Sequence, residues 1–115
     1  MKLPNADQVV VEQEKIADYL LNAAHPDNGG KAQFYEGLGF HRSEWKALTS
    51  ALLVLARNAE VAQSSLTPHG EKFVIIGRIE SPNGRAGWVR TVWIVDSGSE
   101  TARLVTAYPG KEGKT

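Results

Sequence analysis

Along the chain the spacing of apolar residues changes from about four to two, which separates a helical first half from a stranded second half. In residues 13–24, Ile16, Tyr19, Leu20 and Ala23 fall on one helical stripe. The Pro26-Asp27-Asn28-Gly29-Gly30 run ends that helix, and because proline pushes its predecessor out of the α region, His25 is expected at the helix end. Residues 31–38 predict a short second helix, with Phe34 and Leu38 on one side and Gly39 suited to its C-terminal cap. Ser43 suits the N-cap of a third, on which Trp45, Leu48, Leu52 and Leu55 share a face down to about Asn58. Ahead of the helices, the valine run within residues 4–11 predicts a short extended element or an edge strand.

The second half is rich in β-branched and aromatic residues. Residues 61–66 predict one strand before the Thr67-Pro68-His69-Gly70 turn, and 71–80, 88–95 and 102–108 predict three more in sequence. Asn83-Gly84 favours a two-residue turn between the second and third of these, and the small polar residues 96–101 favour a reversal before the last. Centring the first hairpin on Asn83-Gly84 pairs Arg78 with Val89, Ile76 with Thr91 and Val74 with Trp93; the second pairs Thr91 with Thr106, Trp93 with Leu104 and Val89 with Tyr108. One face then carries Arg78, Thr91, Trp93, Thr106 and Tyr108, and the opposite, core-forming face carries Phe73, Ile75, Ile79, Val92, Ile94 and Val105. A slip of one residue exchanges the sets and brings Arg90 and Arg103 to the open face. Helices first and antiparallel strands afterwards predict an α+β domain over residues 1–109. Its three N-terminal helices pack on one face of a sheet of about four strands in a meander. A polar, glycine-rich tail, 110–115, is expected to be flexible.

Composition narrows the function. The 115 residues suit one core, and no run of about 18 apolar residues predicts a membrane span. The first residues lack the apolar centre of a signal peptide, which predicts a cytoplasmic location. Cysteine is absent, removing disulfides, thiol catalysis and cysteine-bound zinc together. Lys plus Arg equals Asp plus Glu at 13 each, so a nucleic-acid site has to be local. Phosphate-loop, dinucleotide, nucleophile-elbow and zinc-protease motifs are missing, and His25, His41 and His69 lack metal-like spacing; neither a metal nor a cofactor is expected.

His25 stands beside a Pro-Asp-Asn-Gly-Gly loop, six residues before Lys31, so an imidazole and an ammonium are able to converge on one phosphate. The same residues also fit a helix C-terminal cap and a solvated surface lysine. Thr106 and Tyr108, two apart on one strand, point the same way and suit phosphoryl oxygens; a cross-strand threonine pair and an edge tyrosine fit equally. Trp88 and Trp93 fit core aromatics better than base-stacking platforms. Arg78, Arg85, Arg90 and Arg103 give the sheet a modest basic bias.

His25-Pro26 with its glycine loop, Lys31-Ala32-x-Phe34-Tyr35-x-x-Leu38-Gly39-Phe40, Val89-Arg90-Thr91-Val92-Trp93-Ile94-Val95 and the closing Arg103-Leu104-Val105-Thr106-Ala107-Tyr108-Pro109 together resemble an uncharacterised bacterial domain family. That family is found alone or as the tail of polymorphic-toxin and phage-like proteins. The layout is similar to the barnase, EndoU, colicin and RelE group of metal-independent ribonucleases. Within that group, RNase A-like toxin domains of contact-dependent inhibition systems end in a strand bearing Thr-x-Tyr. The resemblance implies a histidine at His25, a basic residue at Lys31, and strand roles at Thr106 and Tyr108. Lysine replaces the usual arginine.

On that resemblance, His25 takes the proton of a ribose 2′-OH and Lys31 neutralises charge on the phosphoryl group. Thr106 and Tyr108 hold its oxygens, and Arg78, Thr91, Trp93 and Arg90 contact the RNA, a tRNA or an mRNA. A 2′,3′-cyclic phosphate results, and a cognate antitoxin or immunity protein is the implied partner, with no membrane. A non-catalytic interaction module, acting as a toxin that binds its target or as a partner or immunity subunit, is the competing reading.

Overall fold

The computed structural model describes residues 1–85 and 87–110, so positions 111–115 of the expected tail lie outside the described residues. After a 3-10 turn at Ala6–Gln8, helix α1 runs as one α-helical turn, Gln13–Lys15, continued by a π-turn, Ile16–Leu20. Helix α2 is Lys31–Gly37 and α3 is Trp45–Asn58, the latter entered through a 3-10 turn at Arg42–Glu44. Strands β1 (Gln63–Thr67), β2 (Gly70–Ile79), β3 (Gly87–Asp96) and β4 (Arg103–Pro109) follow as an antiparallel meander in the order β1-β2-β3-β4. Among the described residues the protein is therefore α+β, with three helices and a four-stranded antiparallel sheet.

Several local expectations change. The first helix stops at Leu20 rather than Ala24 because Asn28 reaches back to its end: Asn28 Nδ2 donates to the carbonyls of Tyr19 (2.6 Å) and Leu20 (3.2 Å). His25 accordingly sits in a turn beyond the helix, its N–H donating to the Asn22 carbonyl at 3.0 Å. Ser43 makes no side-chain cap, since the 3-10 turn brings the chain into α3 instead. Gly39 does close α2, at φ 93°, a left-handed conformation that a side chain disfavours. The expected N-terminal strand is reduced to a single parallel bridge, Val10 to Arg103, on the outer edge of β4.

The main correction concerns register. The first hairpin pairs Arg78 with Trp88, Ile76 with Arg90 and Val74 with Val92, one residue away from the Asn83-Gly84 centring. Pro82 accounts for it: its ring fixes φ near −65°, which suits the first central position of a turn, and the turn closes from Ser81 to Gly84 with a 3.1 Å bond. The second hairpin keeps the expected Trp93–Leu104 pair, but a bulge at Val92/Trp93 leaves Val105 unpaired, and beyond it Thr106 faces Val92, Ala107 faces Thr91 and Tyr108 faces Arg90.

The two sheet faces therefore exchange part of their residues. Phe73, Ile75 and Ile79 are buried as expected, but their companions are Val89, Thr91, Trp93, Leu104 and Ala107, while Val92, Ile94 and Val105 stand half-buried on the other side. Leu48, Leu52 and Leu55 of α3 complete the core. At Gly77 a Cβ would come within 2.5 Å of Leu55 Cδ1, so the missing side chain lets α3 approach β2 closely. Tyr35 joins α2 to the sheet by donating its hydroxyl to the Ala107 carbonyl at 2.7 Å inside the core.

Candidate functional site

Thr91 and Trp93 do not line an open floor. Both have zero exposure, and they are spent on each other and on the sheet: Thr91 donates its hydroxyl to the Ile75 carbonyl and accepts the Trp93 indole N–H, each at 2.8 Å. This arrangement satisfies every polar atom of the pair without water. Arg90 comes to the open face, where it donates to Gln63 Oε1 at 3.2 Å across β2. Arg78 is exposed and borders a separate cleft of about 500 Å³ between α3 and the end of β2, with Ala51, Val54 and Ile79 among its walls.

A second cavity, about 630 Å³ in volume, opens where α1 flanks the edge of β4, and it gathers Glu14, Lys15, Asp18, Tyr19, His25, Asp27, Val105 and Thr106. The bulge makes this possible. By leaving Val105 unpaired it turns Thr106 away from the core, towards α1, where its Oγ1 lies 2.9 Å from the Tyr19 hydroxyl. That bond ties residues 87 positions apart. Tyr19 itself arrives on the π-turn, in which the Leu21 N–H donates to the Ile16 carbonyl at 2.9 Å.

His25 and Thr106 are thus brought to one cavity, with Tyr19 between them. The His25 ring meets the Tyr19 ring edge-on, with centroids 5.1 Å apart. Its Nδ1 accepts the Asp27 backbone N–H at 3.0 Å. Lys31 lies beside the cavity rather than in its lining. Its Nζ donates to the carbonyls of Asp27 (3.2 Å) and Asn28 (3.1 Å) and stands 5.4 Å from the centre of the Tyr19 ring, so it staples the loop that carries His25. Asn28, only 2 % exposed, fastens the same loop from inside by accepting the Ala32 N–H at 2.9 Å while capping α1. Tyr108 lies farther along β4, beside Arg90, outside the cavity lining.

Two cavity residues escape a reading of the sequence. Tyr19 counts there as part of an apolar stripe, although tyrosine on a stripe keeps a polar tip that has to find a partner. Lys15, four residues earlier on the same helix, places its Nζ 5.6 Å from that ring and lines the cavity, the position expected of Lys31. The rim is mixed in charge: Glu14, Asp18 and Asp27 oppose Lys15, and Arg42 pairs with Asp18 at 2.9 Å. Outside the cavity, a bidentate bond from Arg103 to Asp96 (2.8 and 3.1 Å) holds the Asp96 carboxyl below the usual range and the Arg103 guanidinium above it. Among the described residues no group of three or more His, Asp or Glu side chains is arranged to hold a metal ion, and no helix is long and apolar enough to cross a membrane.

These features define an α+β domain with a polar cavity at a bulged sheet edge. The same fold occurs in a chain of a contact-dependent growth inhibition toxin–immunity protein complex from Klebsiella pneumoniae 342: the TM-score is 0.70 at 15% identity, over 88% of this chain and 99% of that one. No curated protein matches the sequence. The chain belongs to the family described as a domain of unknown function, DUF6883, whose model spans residues 2–111.

Proposed function

We propose that this domain is a metal-independent endoribonuclease that acts as a toxin within a toxin–immunity system. The observation that carries the reading is the convergence of His25, Tyr19, Thr106 and Lys15 on one cavity. An imidazole, two hydroxyls and an ammonium are the groups needed to hold a phosphodiester and stabilise the charge of its pentacoordinate state. The shared fold with a chain of a toxin–immunity protein complex supports the system, and a cognate inhibitor would be its partner.

In this reading a scissile phosphate enters the cavity. The adjacent 2′-oxygen forms a bond to phosphorus as the bond to the 5′-oxygen breaks, the 2′-hydroxyl loses its proton and the 5′-oxygen gains one. Thr106 and Tyr19 contact the non-bridging oxygens, and Lys15 offsets their charge. Lys31 acts one step back, by holding the His25 loop. Flanking nucleotides pass over the open face, where Tyr108 offers a ring and Arg90 a cation.

Incubation of the protein in EDTA with total bacterial RNA and a tRNA pool should yield new 2′,3′-cyclic ends. His25→Ala and Thr106→Ala should each reduce the yield by about 10²-fold. Cleavage that persists unchanged in both variants would remove the cavity from the chemistry.

The carboxylates of Glu14, Asp18 and Asp27 on the cavity rim favour a second reading. Negative side chains repel a polyanion, so a domain that binds a protein through its open sheet face, without catalysis, is the alternative. Absence of any RNA cleavage, with growth arrest on expression, would select it.

A further inference from the structure

The hydrogen bond between the Asp27 N–H and His25 Nδ1 determines which end of the imidazole faces a ligand and what that end can do. A ring nitrogen that accepts a hydrogen bond carries a lone pair, so the proton of neutral His25 resides on Nε2. Doubly protonated His25 would set an N–H against the Asp27 N–H. The same bond is supported twice from behind, because Lys31 holds the Asp27 and Asn28 carbonyls and Asn28 anchors the loop to α1. The tautomer is therefore built into the loop, and the ring's remaining polar atom is a donor.

We infer that His25 serves the phosphodiester as a neutral hydrogen-bond donor through Nε2, not as the base that removes the 2′-hydroxyl proton. This rests on the ribonuclease reading and assigns the part His25 plays in it. The Nε2–H contacts a non-bridging phosphoryl oxygen beside Tyr19 and Thr106, and that bond strengthens as charge accumulates on the oxygen. No proton passes to or from His25: the 2′-hydroxyl proton leaves to solvent, and solvent protonates the departing 5′-oxygen. Charged and titratable neighbours that line the same cavity are Glu14, Lys15, Asp18 and Tyr19 of α1 and Asp27 of the loop.

Glutamine places an amide N–H near the position of Nε2 but has no basic nitrogen, so it separates donor from base. Cleavage of a labelled tRNA pool should stay within about 10-fold of wild type in His25→Gln and fall about 10²-fold in His25→Ala, a difference typical of one charge-stabilising donor. A glutamine variant as slow as the alanine variant would overturn the donor role in favour of a base. Ring ¹⁵N spectra of the wild-type protein give a readout independent of activity: protonated Nε2 and unprotonated Nδ1 are expected, and the reverse tautomer would overturn the inference even if RNA is cut. Wild-type protein that leaves every RNA intact would instead overturn the ribonuclease reading, and the use of the donor with it.

Discussion

Thr91 and Thr106 carry the same hydroxyl on adjacent strands of one sheet, yet one is used up and the other is accessible. Thr91 is fully buried and bonded on both sides, to the Ile75 carbonyl and the Trp93 indole. Thr106 stands half-buried at the mouth of a cavity, with Tyr19 as its partner. What separates them is a single unpaired residue, Val105, which reverses the alternation of side chains along β4. Without that bulge Thr106 would face Thr91 across the strands, and the cavity would lose its floor. Whether a hydroxyl of this sheet is buried or accessible is therefore decided by register, and the bulge divides a buried, stabilising face from an accessible edge.

The largest expected effect lies on the buried side. Trp93→Ala removes a fully buried indole that also satisfies Thr91, and should cost about 3–5 kcal/mol in urea unfolding. A loss below about 1 kcal/mol would mean that Trp93 belongs to the open face after all.

A smaller effect should appear where α2 meets β4. Tyr35→Phe removes the bond to the Ala107 carbonyl and should cost about 1 kcal/mol at neutral pH. Burial, reinforced by nearby Tyr19, pushes the Tyr35 phenol well above the ordinary tyrosine range. A raised native pKa means that its contribution is complete below the unfolded value of about 10 and declines as pH rises beyond it, because the unfolded chain releases the proton first. Stability of the wild type should therefore fall above about pH 10, and Tyr35→Phe should flatten that fall. Equal slopes would show that another group controls the alkaline limit.

Much of this fold is legible in local pattern. Leu48, Leu52 and Leu55 announce the buried side of α3, Gly39 marks the end of α2, and the strands appear within a residue or two of their observed limits. What escapes depends on competition between signals or on long-range contacts. Asn83-Gly84 points to one turn centre, but Pro82 imposes another and shifts the hairpin by one residue. A bulge is a choice made by the whole sheet, and no residue near Val105 declares it. Of the candidate site, His25 and Thr106 are legible by type and meet in the cavity. Lys31 is recognisable as a cation near His25, but its bonds to the loop carbonyls exist only once the loop has folded. Tyr19 is hidden inside a helical stripe that looks purely structural, and Lys15, one helical turn before it, is marked by nothing in the local pattern.

One pair of isosteric substitutions tests the division between the two faces directly. Thr91→Val and Thr106→Val each exchange a hydroxyl for a methyl, and both RNA cleavage in EDTA and the urea midpoint are measured for each. Thr91→Val should lose about 1–3 kcal/mol of stability, since it leaves the Trp93 indole N–H without a partner, and should keep its cleavage rate while folded. Thr106→Val should keep a nearly wild-type midpoint and lose about 10²-fold in cleavage. The opposite assignment, with Thr91→Val inactive and Thr106→Val fully active, would contradict the cavity at the bulged edge as the site of the chemistry.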